Sequence, residues 1–257
     1  MAAPSRVLAS TTSHKREPLL PTLEVFGRLG LQDVDLNLHH ILEEGESVSG
    51  VAHAVAAHGL RLGVLSGGWC DFFGRAPGIE HTFTSVAGQV SIADALGVRY
   101  VRLFFGRLPY SDYSADAREV VCANLSRLSD AHPHVTFVFE NHDGASLHPE
   151  VCADVLARVA RPNIRMNFDP INFAKAGVDP MAALGLVRSL VGHVHLKGLD
   201  RGEYCEFGEG DVDLEPIVRS LVDEGYSGRF TVEYEGPRDG TLRLYRSVQR
   251  ARRRLDP

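Results

Sequence analysis

Along the chain, short apolar runs bounded by polar or glycine residues alternate with longer stretches of helical periodicity. The apolar runs predict strands at residues 6–10, 33–38, 61–65, 99–104, 135–140, 164–168, 193–197 and 229–233. Between them the pattern predicts helices at 18–29, 47–58, up to Leu96-Gly97, 115–131, 149–160, 180–190, 214–224 and 242–253. Several of these helices stop at a glycine, Gly30, Gly59 or Gly225, the residue that tolerates the left-handed conformation of a helix C-terminus. Eight strand–helix units follow one another without a linker or a composition break. The expected fold is an α/β (βα)8 TIM barrel in a single domain over 1–257, with the barrel proper at about 6–250 and short N- and C-terminal extensions. A doubly wound open sheet is the alternative, but no glycine-rich dinucleotide turn supports it.

The strand at 193–197 departs from the rule that barrel strands are apolar. It reads His193-Val194-His195-Leu196-Lys197 and runs on into Gly198-Leu199-Asp200-Arg201. Because successive side chains alternate faces, His193, His195 and Lys197 share one face, and Val194 and Leu196 the other. Polar residues also close the neighbouring strands. Phe137-Val138-Phe139 ends in Glu140, Ile164 to Phe168 ends in Asp169, and Phe230-Thr231-Val232 ends in Glu233. In a TIM barrel the chemistry lies at the C-terminal ends of the strands. Four consecutive strands therefore present Glu140, Asp169, His195 and Glu233 at one rim. Three carboxylates so placed repel one another unless a cation compensates them. Three oxygens and one imidazole suit a divalent ion, Mn²⁺ or Mg²⁺ first and Co²⁺ or Zn²⁺ next.

Composition narrows the functional classes. Hydrophobic residues make up 44% and charged residues 23% of the 257, enough for a large globular core. A formal charge of -6 argues against a broad nucleic-acid surface, and Arg250, Arg252, Arg253 and Arg254 read as a solvated last helical turn. Cys70, Cys122, Cys152 and Cys205 form no CxxC pair, so a reducing cytoplasmic setting is expected. Met1 to Ser13 lacks the apolar stretch of a signal peptide, and no segment approaches the roughly 18 apolar residues of a membrane helix. The expected partner is a small molecule rather than nucleic acid or membrane, with a homodimer possible.

Five segments carry a resemblance to the xylose-isomerase-like barrel superfamily of sugar isomerases and epimerases. They are Phe139-Glu140-Asn141-His142, the run from Asn167 to Gly177, the histidine strand, Phe207 to Asp213, and Thr231 to Gly236. The resemblance implies that Glu140, Asp169, His195 and Glu233 bind the metal, the set that the strand ends indicate independently. It also implies proton abstraction next to a ketose carbonyl, with Glu140 and Glu233 as the catalytic pair on opposite faces of the carbon. The expected activity is thus a metal-dependent sugar isomerase or epimerase working through an enediolate. A metal-dependent dehydratase of an inosose or a 3-dehydroshikimate-like compound is the alternative, since some such lyases carry a histidine two residues past the fifth-strand glutamate, as His142 is. A non-catalytic sugar-binding barrel and an abasic-site endonuclease are further alternatives.

Around the metal the expected substrate-binding residues are His142, Asn172, Lys197, Arg201 and Trp69. Trp69 offers an aromatic face for a sugar ring, and Phe104, His39 and His40 are further candidates for the wall. Lys197 either polarises a carbonyl or pairs with Glu233 or Asp169. Arg201 either touches substrate, as an arginine at that spacing does in related epimerases, or forms a loop salt bridge. His193 reads as a satisfied core histidine below the metal. Two positions depart from ketohexose 3-epimerases: Asn172 stands where they carry histidine, and Ser146 where they carry glutamate. Both changes remove groups that touch substrate.

Overall fold

The computed structural model describes residues 5–237 and 240–256. The start of the expected N-terminal extension, residues 1–4, and the last residue of the C-terminal one lie outside them, as do residues 238–239. Eight parallel strands close a barrel in the order β1 (Val7–Ser10), β10 (Arg229–Val232), β7 (Val191–Leu196), β6 (Ile164–Phe168), β5 (Thr136–Glu140), β4 (Tyr100–Phe104), β3 (Arg61–Ser66) and β2 (Asp33–Asn37). The expected fold is the observed one, and the expected elements hold to within a few residues at their ends.

The outward faces of the strands and the inner faces of the helices form one continuous apolar cluster. It includes Val34, Phe137, Phe139, Phe168, Val194, Leu196 and Phe230 from strands, and Leu125, Val155, Leu184, Leu221 and Val248 from helices. Val194 and Leu196 are fully buried in it, which leaves His193 and His195 for the barrel interior. Side-chain caps fix the helix starts. Ser47 accepts from Gly50 N, Ser114 from Ala117 N, and Asp179 from Met181 N. Asp213 accepts from Glu215 N at 2.9 Å, as expected of a carboxylate at the start of the helix Glu215–Asp223.

Two register shifts set which residues reach the interior. Val34 is level with Leu62 but Asp35 with Val64, so Gly63 is an extra residue. Met166 is level with Val191 but Asn167 with His193, so Gly192 is another. A bulge of this kind re-aims the residues that follow it. Neither glycine can be replaced freely. A Cβ on Gly63 would lie 2.5 Å from Leu8 Cδ2, and one on Gly192 2.6 Å from Arg165 Cβ.

Short elements that were not expected follow several strands, among them the helices His39–Leu42 and Pro170–Lys175. After β7 the chain forms a small antiparallel hairpin, β8 (Gly198–Asp200) with β9 (Glu203–Cys205). Arg201 and Gly202 form its turn, both with positive φ, the backbone of a two-residue hairpin loop.

Candidate active site

Each of the four rim residues is positioned by its own local structure. Asp169 is the N-cap of the short helix Pro170–Lys175, where its Oδ1 accepts from Ile171 N at 2.9 Å and Asn172 N at 3.0 Å. That fixes the carboxylate and leaves Oδ2 for the site. Asn141 locks the same backbone from the neighbouring strand, donating to Asp169 O at 2.8 Å and accepting from Asp169 N at 2.9 Å. Glu140 Oε1 accepts from Asn172 Nδ2 at 3.0 Å, and its Oε2 lies 3.3 Å from Arg102 Nε. Glu233 Oε1 accepts from Ser10 Oγ at 3.1 Å, and its Oε2 lies 2.8 Å from Lys197 Nζ. Each glutamate thus has one cation and one neutral donor.

The three carboxylates converge on one atom of the fourth residue. His195 Nδ1 lies 3.4 Å from Glu233 Oε2, 3.5 Å from Glu140 Oε1 and 3.9 Å from Asp169 Oδ2. All four side chains are buried. Yet neither nitrogen of His195 has a hydrogen-bond partner, and Asp169 Oδ2 has only the Lys197 ammonium, 3.0 Å away. Orphaned buried polar atoms are rare in proteins. An imidazole nitrogen facing carboxylate oxygens at these separations is the donor set of a divalent cation with borderline nitrogen and hard oxygen ligands. Ligand atoms of Glu140, Asp169 and His195 lie within 4.8 Å of one another, and Glu233 approaches the same imidazole nitrogen.

Burial and charge oppose each other throughout. For His195 burial pulls the pKa down, but Glu233 and Glu140 outweigh it and raise it to about 9. For Glu233 burial pushes up, and the charges of His195 and Lys197 win, bringing it to about 2. Glu140 is likewise held well below its ordinary value against burial, chiefly by His195 and Arg102. Burial dominates at Asp169, which is raised despite Lys197. Lys197 is held well above its ordinary value: burial is outweighed by Asp169, Glu233 and Glu235, which lie 3.0, 2.8 and 2.7 Å from its Nζ. Of the two alternatives for Lys197, the ion pairs are present.

A cavity of about 280 Å³ opens above this cluster. Trp69, Phe104 and His142 form an aromatic wall: Trp69 stacks on Phe104 at 4.5 Å, and His142 sits edge-on to both. Asn37, His39, Lys15 and Glu235 also line the cavity, and Arg102, Glu140, Lys197 and Glu233 reach it from the barrel. His40, by contrast, is buried and bonds to Glu44.

Two of the residues expected at the substrate are engaged with protein groups. Asn172 is 7% exposed and its amide is spent on Glu140, so it braces a rim carboxylate. Arg201 sits at the hairpin turn, 87% exposed, with its guanidinium toward Asp200. It forms the loop salt bridge, because a two-residue turn throws its side chain outward. Ser146 ties down the turn after β5 by accepting from His142 N and Asp143 N. Arg102, Asn141 and Ser10 were not expected in the site. Arg102 shows in the chain as a charge inside the apolar strand Tyr100–Phe104, and Asn141 only as part of the segment Phe139-Glu140-Asn141-His142.

A family model described as xylose isomerase-like TIM barrel matches residues 28–254. A curated relative, inosose dehydratase of Lacticaseibacillus casei, is 23% identical over 145 residues, 48% of this chain and 49% of the relative. The match thus spans about half the length of that relative. Among solved structures, the IolI protein with a bound zinc atom superposes with a TM-score of 0.77 at 20% identity, covering 96% of this chain and 95% of the other. The 3-keto-D-glucoside 4-epimerase YcjR of E. coli superposes with a TM-score of 0.77 at 15% identity, covering 98% and 100%. At these identities the superpositions establish the fold alone.

Proposed function

The chain belongs to the xylose isomerase-like TIM barrel family, and from that premise we propose that it is a divalent-metal-dependent enzyme removing a proton next to the ketone of a small sugar or cyclitol. The observation that carries this reading is the convergence of three buried carboxylates on an unpartnered His195 Nδ1. Glu140, Asp169, His195 and Glu233 are the residues that would hold the ion. When bound there, Mn²⁺, Mg²⁺ or another divalent ion supplies Lewis-acid polarisation of the ketone oxygen.

The rest is the work of the side chains. Glu233 or Glu140 accepts the proton from the carbon beside the ketone. Lys197 and Arg102 place fixed positive charge beside these carboxylates at the cavity floor, where negative charge develops on the oxygen. The aromatic wall of Trp69 and Phe104 packs on the carbon–hydrogen face of the ring and excludes water from it.

We assign the outcome as elimination of a neighbouring hydroxyl, a dehydratase reaction. Loss of hydroxide needs a proton donor that an epimerase does not. His142 is on the cavity wall, outside the carboxylate cluster and 37% exposed. As general acid, His142 delivers a proton to the departing hydroxyl as the carbon–oxygen bond breaks, so water leaves and the carbon–carbon double bond forms. The name of the curated relatives and the absence of the two 3-epimerase residues at Asn172 and Ser146 support the same outcome.

A second reading rests on the symmetry of the glutamates. Glu140 and Glu233 flank His195 at 3.5 and 3.4 Å, each with one cation and one neutral donor. A matched pair suits removal of a proton on one face and its return on the other, the epimerase reaction expected from the sequence. Incubation of the Mn²⁺-loaded protein with inososes, ketoses and cyclic keto acids in D₂O separates the two. A dehydratase gives an ultraviolet-absorbing product, and His142→Asn then abolishes that product while deuterium exchange continues. Deuterium in an inverted product without absorbance selects the epimerase. No exchange with any substrate of these classes removes both.

A further inference from the structure

The barrel interior beneath the rim holds a carboxylate that the chemistry above does not use. Asp35 is fully buried on β2, on the far side of the barrel from β7, with β10 and β1 between them in the closed order. Its Oδ2 faces His195 Nε2 at 3.8 Å across the interior. That nitrogen has no hydrogen-bond partner, and it is the one pointing away from Glu140, Asp169 and Glu233.

Asp35 is itself held from two directions. Ser66 Oγ donates to its Oδ1 at 2.8 Å, and Thr231 Oγ1 donates to its Oδ2 at 3.0 Å. The single hydroxyl proton of Thr231 is spent on Asp35, so the 2.8 Å contact between Thr231 Oγ1 and His193 Nε2 requires His193 to donate. The proton order is then fixed from His193 through Thr231 to Asp35. Asp35 can only accept, and the remaining group facing it is the His195 ring.

We propose that Asp35 is the positioning residue of the centre: its carboxylate fixes the His195 ring with Nε2–H turned toward itself and Nδ1 turned toward Glu140, Asp169 and Glu233. The inference rests on the reading of those four residues as metal ligands. A carboxylate behind a ligating histidine sets its tautomer and its orientation. The bulge at Gly63 serves this placement. It resets the register immediately before Asp35, and a slip of one residue would turn the side chain to the opposite face. Asp35, His193 and His195 also lie within 4.8 Å of one another. They do not form a second ion site, because hydroxyls already engage both Asp35 oxygens and His193 Nε2.

The test uses the full chain with Asp35→Asn, Ser66→Ala and, as a control, Asp33→Asn, whose carboxylate pairs with Arg61 two residues earlier on the same strand. Two quantities are read: the dissociation constant for Mn²⁺ and Zn²⁺ alone, by competition with a chromophoric chelator, and the His195 ring nitrogens by long-range ¹H–¹⁵N correlation. The spectra are taken on the Zn²⁺-loaded protein, where the ion holds Nδ1 and the remaining ring proton is read on Nε2. Asp35→Asn weakens ion binding on the order of 10–100-fold and moves the Nε2–H signal away from its carboxylate-facing position. Ser66→Ala shifts both readouts in the same direction by a smaller amount, and it decides the matter if Asp35→Asn does not fold. Asp33→Asn moves neither, whatever it does to thermal stability. Wild-type binding with unchanged affinity and an unchanged Nε2–H signal in Asp35→Asn overturns the proposal. If the wild-type chain binds neither ion, it is the reading of the four residues as metal ligands that falls.

Discussion

The two ends of the barrel handle buried charge in opposite ways. At the N-terminal end of the strands, Asp33 takes both hydrogen bonds of the Arg61 guanidinium, at 2.9 and 2.7 Å, and a third from Ser5 N. Arg229 and Arg165 there donate to the carbonyls of Gly63 and Ser189. At the C-terminal end, Glu140, Asp169 and Glu233 crowd one imidazole whose two nitrogens have no hydrogen-bond partner, and Asp169 Oδ2 has only the Lys197 ammonium, 3.0 Å away. One end closes its hydrogen bonds and the other leaves both imidazole nitrogens without one. The difference separates a scaffold from a site on the same eight strands, since a buried polar atom without a partner costs stability that only a ligand can return.

The largest expected effect comes from removing the cation that stands among the carboxylates. Lys197→Met leaves Asp169 and Glu233 buried without their counter-charge, and the metal-free protein should lose about 3–5 kcal/mol in urea denaturation. A saturating divalent ion should return much of that loss, because it supplies positive charge at the same place. Arg61→Met at the other end should cost on the order of 1–3 kcal/mol, and no ion should rescue it. Equal losses that ions leave unchanged would erase the distinction between the two ends.

The next effect is a dependence on pH that only the C-terminal end predicts. Folded His195 titrates at about 9 against an ordinary 6.5, so its contribution is fully present below pH 6.5 and is lost as pH rises through 9. At 1.4 kcal/mol per unit, the metal-free protein should weaken by about 3 kcal/mol over that window. The same proton competes with the ion for Nδ1. Divalent affinity should therefore rise about tenfold per pH unit up to about 9 and level off beyond it. Chelator competition at several pH values measures the slope. A flat profile below pH 8 would mean that the ion does not bind His195.

These contrasts also explain what the sequence could and could not disclose. Glu140, Asp169, His195 and Glu233 were legible because each is a polar residue breaking or closing an apolar run, and strand ends are where barrels place chemistry. Asp35 was not, and Arg102 showed only as a charge inside an apolar strand. Asp33-Val34-Asp35 alternates like any half-buried strand, and nothing local distinguishes the aspartate that binds Arg61 from the one that faces His195 across the barrel. Asn172 was placed by its distance along the chain from Asp169, but the short helix after Asp169 turns its amide onto Glu140. The bulges were silent as well, since Gly63 and Gly192 have no side chain to reveal that they reset the register.

Gly192 offers a finer test of how the two ends are coupled. A Cβ there would lie 2.6 Å from Arg165 Cβ at the N-terminal end, while the register it sets governs His193 and His195 at the other. Gly192→Ala should destabilise the fold by about 1–3 kcal/mol through overpacking and should also weaken divalent binding, although it touches no ligand. Loss of stability with unchanged affinity would mean that the ends are independent.

The smallest effect is expected at Arg201, where the resemblance and the geometry disagree most. In related epimerases an arginine at that spacing touches substrate. Here the residue lies at the turn of a hairpin, 87% exposed and paired with Asp200 through an ion pair that water screens. If the hairpin holds this form when substrate binds, Arg201→Ala should leave kcat/KM within about twofold and stability within about 0.5 kcal/mol. A loss of tenfold or more in kcat/KM with stability unchanged would instead show that the hairpin folds inward over the cavity and carries the guanidinium to the substrate. The rim would then have a mobile wall facing the fixed aromatic one, and the exposure of Arg201 would describe only its open form.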